Sequence, residues 1–197
     1  MKKLLGFSIF LVFVLIASLT AEAKVTLPAI FSDNMVLQQN TQVNVWGKAA
    51  PGEKVTVKAS WLDKAVTAKA AANGKWTVKL KTPKATTNQS VTVSGENEIT
   101  INNVLIGEVW LCTGQSNMEF PVSRHPDVKW NTGMLNEAEE LKDADYPEIR
   151  LFHVKHQLAH EGELDDCEGE WLVCNPKNLY DFSAVGFVFG RDRKSVV

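Results

Sequence analysis

After the first two dozen residues the sequence has no apolar run long enough to cross a bilayer, which excludes a bundle of membrane helices there. It also lacks an excess of charge of either sign. Its 21 lysines and arginines face 23 aspartates and glutamates, for a formal charge of -2. That balance leaves no electrostatic footprint for nucleic acid or an anionic membrane. Cysteine is scarce: three in all, so at least one has no partner within the chain. Histidine is limited to His125, His153, His156 and His160, so any histidine base within the chain is one of these.

What is present is the composition of a globular protein, 45% hydrophobic, behind a distinct amino terminus. Lys2 and Lys3 precede an apolar stretch from Leu4 to about Leu19, and Ala21-Glu-Ala23 offers the small residues a signal peptidase accepts. Residues 1–23 therefore read as a secretory signal, the alternative being a retained membrane anchor. No cysteine follows the apolar stretch, so a lipid anchor is not indicated. Cleavage removes Lys2, Lys3 and Glu22, making the charge one unit more negative, too small a bias to identify a partner. The expected product is secreted or periplasmic, with no membrane association, in a compartment where disulfides persist. There Cys167 and Cys174 are close enough in sequence to bridge across a loop, while Cys112, within an apolar run, reads as a buried core thiol. A zinc site joining these thiols to His153, His156 or His160 is the sharper alternative.

Residues 24–103 carry short alternating segments separated by turn residues, the pattern of an all-β sandwich. Val43 and Val45, Val55 and Val57, Trp76 with Val78 and Leu80, Val91 with Val93, and Ile99 with Ile101 each place one face inward. Pro51-Gly52 marks a turn, and Asn73-Gly74 predicts a hairpin between Val66–Ala70 and Trp76–Leu80. Trp46, Trp61 and Trp76 fit core positions better than a sugar-stacking face, because aromatic side chains dominate cores.

From about residue 104 the periodicity changes. Val104–Thr113 reads as a strand buried on both faces of a parallel sheet, and Gly114 then allows a sharp turn. Ser116 follows, at the place beyond a strand's carboxyl end where open α/β sheets bind ligands and where free N–H groups can face a forming oxyanion. The alternative is an ordinary turn or cap serine. Leu135, Ala138 and Leu141 predict a helix over Met134–Lys142, Ile149–His153 a strand, and Asp181–Ala184 the cap of another helix. This order predicts the start of an α/β/α domain over 104–197.

The run Gly107-Glu-Val-Trp-Leu-Cys112, then Gly114-Gln-Ser-Asn-Met118 and Glu119-Phe-Pro121, closely resembles the nucleophile block of the sialate O-acetylesterases, within the SGNH hydrolase group. Leu27–Gln38, Val45-Trp-Gly47 with Pro51-Gly-Glu53, and Phe182–Gly190 match further segments of that family in the same order. The resemblance implies a flavodoxin-like SGNH domain after the sandwich, with Ser116 as nucleophile. Gln115 and Asn117 shape its turn, and either amide could reach the substrate. The implied substrate is an O-acetylated sialic acid or another acetylated glycan such as xylan, and the implied chemistry needs no metal or organic cofactor. The family's Asp-x-x-His and its Gly and Asn oxyanion blocks have no match here, so the expectation is an incomplete and inactive fragment. The other reading is a non-catalytic β-sandwich module that binds glycan or supports a partner domain. His125, His153, His156 and His160 are expected to be solvated loop residues, with His125 the nearest substitute for the missing base. Oligomeric state is not legible.

Overall fold

The computed structural model describes residues 24–127, 133–160 and 162–194; the expected signal lies outside them. The chain is mostly β-sheet with a few short helices. Its first strands are β1 (Val36–Gln38), β2 (Gln42–Lys48), β3 (Lys54–Ala59), β4 (Val66–Lys69), β5 (Lys75–Lys81), β6 (Thr86–Ser94) and β7 (Glu98–Gly107). They form a five-stranded sheet in the order β1-β7-β6-β3-β4 and a separate pair, β2-β5. β1 runs parallel to β7, and the other ladders are antiparallel.

Alternation explains how these strands pack. Along β5, Trp76, Val78 and Leu80 are buried while Lys75, Thr77, Lys79 and Lys81 face solvent. Together with Val45 they close on Val55, Val57, Val91, Val93, Ile101 and Val104 of the larger sheet, making one core. Each such side chain contributes about 1.5–3 kcal/mol by leaving water. β2 is closely approached at Gly47, where a Cβ would run into the Thr26 carbonyl oxygen of the segment bridged to Lys48 and lie 2.9 Å from the Trp76 ring of β5.

Two sequence expectations change here. The Asn73-Gly74 turn forms, with Gly74 at φ 76°, but the strands it joins do not pair with each other. β4 pairs with β3, and β5 pairs with β2 along its full length. The turn therefore carries the chain from one sheet to the other. Likewise, the strand expected over Val104–Thr113 ends at Gly107 and belongs to the first core through Val104. Glu108–Gly114 have no regular structure, and Cys112, expected to be buried, is exposed.

The second half gathers around Val122, Ala144, Leu151, Cys174, Leu179 and Phe187. Its elements are α1 (Ser116–Glu119), α2 (Glu137–Lys142), β8 (Tyr146–Phe152), β9 (Trp171–Cys174), α3 (Pro176–Leu179) and α4 (Ala184–Lys194). α2 is shorter than the helix expected from Met134, and β8 begins three residues before the expected Ile149. β8 pairs antiparallel with β9, Leu151 opposite Leu172, a strand the sequence pattern does not predict, and among the described residues β8 does not join the Val104–Thr113 segment in the expected parallel sheet. No disulfide joins Cys167 to Cys174, which is buried in this second core.

Trp171 links the halves. Its indole N–H donates to the Ile30 carbonyl at 2.8 Å, and its ring packs against the first core. The Asp166 carboxylate accepts from the Ala29 N–H at 3.0 Å, while Asp165 pairs with Lys75 at 2.8 Å and Lys48 at 3.2 Å. Among the described residues no helix is long and apolar enough to cross a membrane.

Candidate active site

The serine turn is anchored at both ends. Where β7 stops, Gln38 and Gln39 of the β1 segment donate to the two Glu108 carboxylate oxygens at 3.0 and 2.8 Å, and the Val109 N–H donates to Gln38 Oε1 at 2.9 Å. These two side-chain hydrogen bonds hold the Glu108 carboxyl below its ordinary pKa, because they favour the charged form. Next, the Trp110 ring meets Phe189 of α4 edge-on, with centroids 5.1 Å apart.

Gly114 leads into the turn, where a Cβ would approach Met118 Cβ to 3.0 Å. The Gln115 carbonyl accepts from the N–H groups of Met118 and Glu119, closing the single turn of α1. Ser116 is the first residue of that turn, and Gln115, Ser116 and Asn117 are all exposed. The expected cluster of small and amide residues thus forms one solvent-facing knuckle.

The far side of the knuckle is fastened to the start of α4. The Val122 N–H donates to the Phe182 carbonyl at 2.9 Å, and the Ala184 N–H donates to the Phe120 carbonyl at 2.8 Å. Ser183 Oγ accepts from the Gly186 N–H at 3.1 Å, so Ser183 caps α4 as its position predicts, and the same hydroxyl lies 3.4 Å from Met118 Sδ. Two segments 65 residues apart are thereby brought together.

The histidines are distributed around this knuckle without reaching its serine. Among the described residues Ser116 Oγ has no hydrogen-bond partner. His156 Nε2 lies 3.5 Å from Glu119 Oε1, on the helix turn that Ser116 begins, with both side chains largely solvated. His125, expected to be a solvated loop residue, is instead held: its Nε2 is 2.8 Å from Asp181 Oδ1, and its ring meets Tyr180 edge-on at 5.5 Å. Tyr180 fixes the same loop by donating its hydroxyl to the Arg124 carbonyl at 2.7 Å. His153 faces Phe182 at 6.4 Å, beside a small cavity of about 140 Å³ lined also by Asp181 and Lys177. His156 and His160 stand four apart, a spacing that converges on a helix, but residues 153–159 are not helical. The sequence missed the His125–Asp181 pair because 56 residues separate its members and no local pattern joins them.

Comparison with known proteins places these features in a family context. The chain is 31% identical over 183 residues to a sialate O-acetylesterase of Mus musculus, matching 83% of this chain and 32% of that protein. The sialate O-acetylesterase of Homo sapiens is 29% identical over 179 residues, 81% of this chain and 32% of its own. The chain thus spans about a third of the length of these curated relatives. Among solved structures, a carbohydrate acetylesterase from Xanthomonas citri superposes with a TM-score of 0.76 at 30% identity, covering 87% of this chain and 37% of that one. No family model matches the chain.

Proposed function

Homology to the sialate O-acetylesterases is the premise from which we propose that this chain carries the nucleophile of a secreted carbohydrate O-acetylesterase. Residues 1–23 would direct export, the β-sandwich through β7 would brace the site, and the residues after it would belong to an SGNH-type α/β/α hydrolase domain. The observation that carries the reading is the exposed Ser116 at the head of a one-turn helix clamped on both sides.

In the proposed reaction Ser116 Oγ attacks the acetyl carbonyl of an O-acetylated sialic acid, giving up its proton to a general base. Collapse of the tetrahedral intermediate releases the sugar hydroxyl, and water then frees acetate from the acetyl-enzyme. The Ser116 N–H is one oxyanion donor, and each such donor is worth about 100-fold to 1000-fold in rate. Gln115 and Asn117 flank the nucleophile and are placed to meet the substrate. Among the described residues no histidine hydrogen-bonds to Ser116 Oγ. Acetylated xylan is the other substrate this chemistry accommodates.

The unpartnered serine also favours a second reading, a non-catalytic module that binds glycan or supports a partner domain. Acetate release from O-acetylated sialic acid by the complete gene product, beside its Ser116→Ala variant, separates the two. The esterase reading expects the variant to lose at least ~1000-fold in rate. Equal rates would sink it.

A further inference from the structure

The outer face of β2-β5 is a ladder of polar pairs: Lys48 opposite Lys75, Trp46 opposite Thr77, Asn44 opposite Lys79 and Gln42 opposite Lys81. Its two ends differ. At one end Lys48 and Lys75 are both engaged by Asp165, and the Trp46 ring meets Phe31 edge-on at 4.6 Å. At the other end Lys79 and Lys81 form no ion pair among the described residues. They open instead into a surface groove of about 400 Å³, lined also by Gln42, Leu62, Asp63, Lys64 and Val66.

Three lysines against one aspartate leave this groove net positive. Lys79 and Lys81 lie two residues apart on one strand, so they project to the same side roughly 7 Å apart. Its second wall is fixed: the Trp61 indole N–H donates to the Lys81 carbonyl at 2.9 Å, and Trp61 and Leu62 pack against the first core. The groove therefore combines lysines that share one side of a strand, the Gln42 amide, and an apolar rim from Leu62 and Val66.

From this arrangement we propose that the groove is an accessory binding site for an acidic oligosaccharide. Successive carboxylates would meet Lys79, Lys81 and Lys64, while sugar hydroxyls exchange hydrogen bonds with Gln42 and the C–H face of a ring rests on Leu62 and Val66. Charge complementarity selects the carboxylates, and the amide with its apolar rim selects a sugar over a bare anion. The inference holds whether or not Ser116 is catalytic, since the groove is built on β2-β5, the segment between β3 and β4, and the first residue of β4.

The test is an amide NMR titration of the full chain with tetragalacturonate, maltotetraose, tetraglutamate and inorganic sulfate in turn. The expected result is that tetragalacturonate shifts the signals of Gln42, Leu62–Lys64, Lys79 and Lys81, while maltotetraose, tetraglutamate and sulfate bind at least ~10-fold more weakly. Raising salt from 50 to 500 mM should weaken the tetragalacturonate complex, because exposed charges are screened. The triple variant K64Q/K79Q/K81Q should lose ~10-fold or more in affinity, and Lys58→Gln on β3 should bind as the parent does. Equal binding of sulfate or tetraglutamate would mean a general anion or peptide site and overturn the proposal. So would the absence of any shift, or an affinity that the triple variant leaves unchanged.

Discussion

Glu108 shows how a single carboxylate can set the start of the serine turn. Its folded pKa lies below the ordinary value because Gln38 and Gln39 donate to the charged form. A carboxyl with a depressed folded pKa anchors above its unfolded value, about 4.3, and loses that anchoring as pH falls through the lower folded value. A carbonyl-carbon NMR titration should therefore place the Glu108 midpoint below that of an ordinary glutamate, and Gln38→Ala should move it back up. Gly47 sets a steric limit: Gly47→Ala drives a Cβ into the Thr26 carbonyl and the Trp76 ring. The expected cost is about 1–3 kcal/mol in urea unfolding. His125 is tied to Asp181 rather than to Ser116. His125→Ala should leave serine-dependent acetate release by the complete gene product within about twofold of the parent, whereas loss on the scale of the Ser116→Ala variant would make His125 the base after all.

At the scale of elements, the β2-β5 pair is the lid of the first core, and Leu80, one residue from the end of β5, is fully buried. Leu80→Ala should cost about 2–5 kcal/mol by denaturant titration, with the slope against denaturant preserved. The alternation that buries Leu80 is plain in the sequence, and every alternating set read from it lies in a strand of the first core or its edge. Which strand pairs with which is not plain there. Asn73-Gly74 encodes a reversal, but a reversal costs the same whether its arms share a ladder or change sheets. The choice fell to β2, which offers β5 seven matched positions. Val104–Thr113 misled for a related reason, since local apolarity cannot distinguish a buried strand from an exposed stretch resting on another element. Trp110 finds Phe189, 79 residues away, and Leu111 finds little. The turn and helix start at Ser116 were legible because their glycine and amide signals are all within a few residues. Their surroundings, drawn from β1 and α4, were not.

For the whole molecule, the two cores are joined chiefly through Trp171, Asp165 and Asp166, and the second half leaves considerable apolar surface uncovered. Val185 and Phe189 on α4 are 49% and 37% exposed, Trp110 against Phe189 is 52% exposed, and Leu111, next to it in the chain, is 89% exposed. Such a patch is an association liability. The chain should bind the dye ANS and sediment faster as concentration rises, and Leu111→Ser with Val185→Ser should reduce both. The tie between Glu108 and the two glutamines also bears on time. These partners lie about seventy residues apart in sequence. The serine turn can reach its final position only after the chain between them has folded back and aligned β1 with β7, and long-range closures of that kind are slow. In a refolding experiment followed by hydrogen exchange, the strands of the first core should gain protection early and the Val109 amide late, so the candidate nucleophile would be the last part of the molecule to be ready.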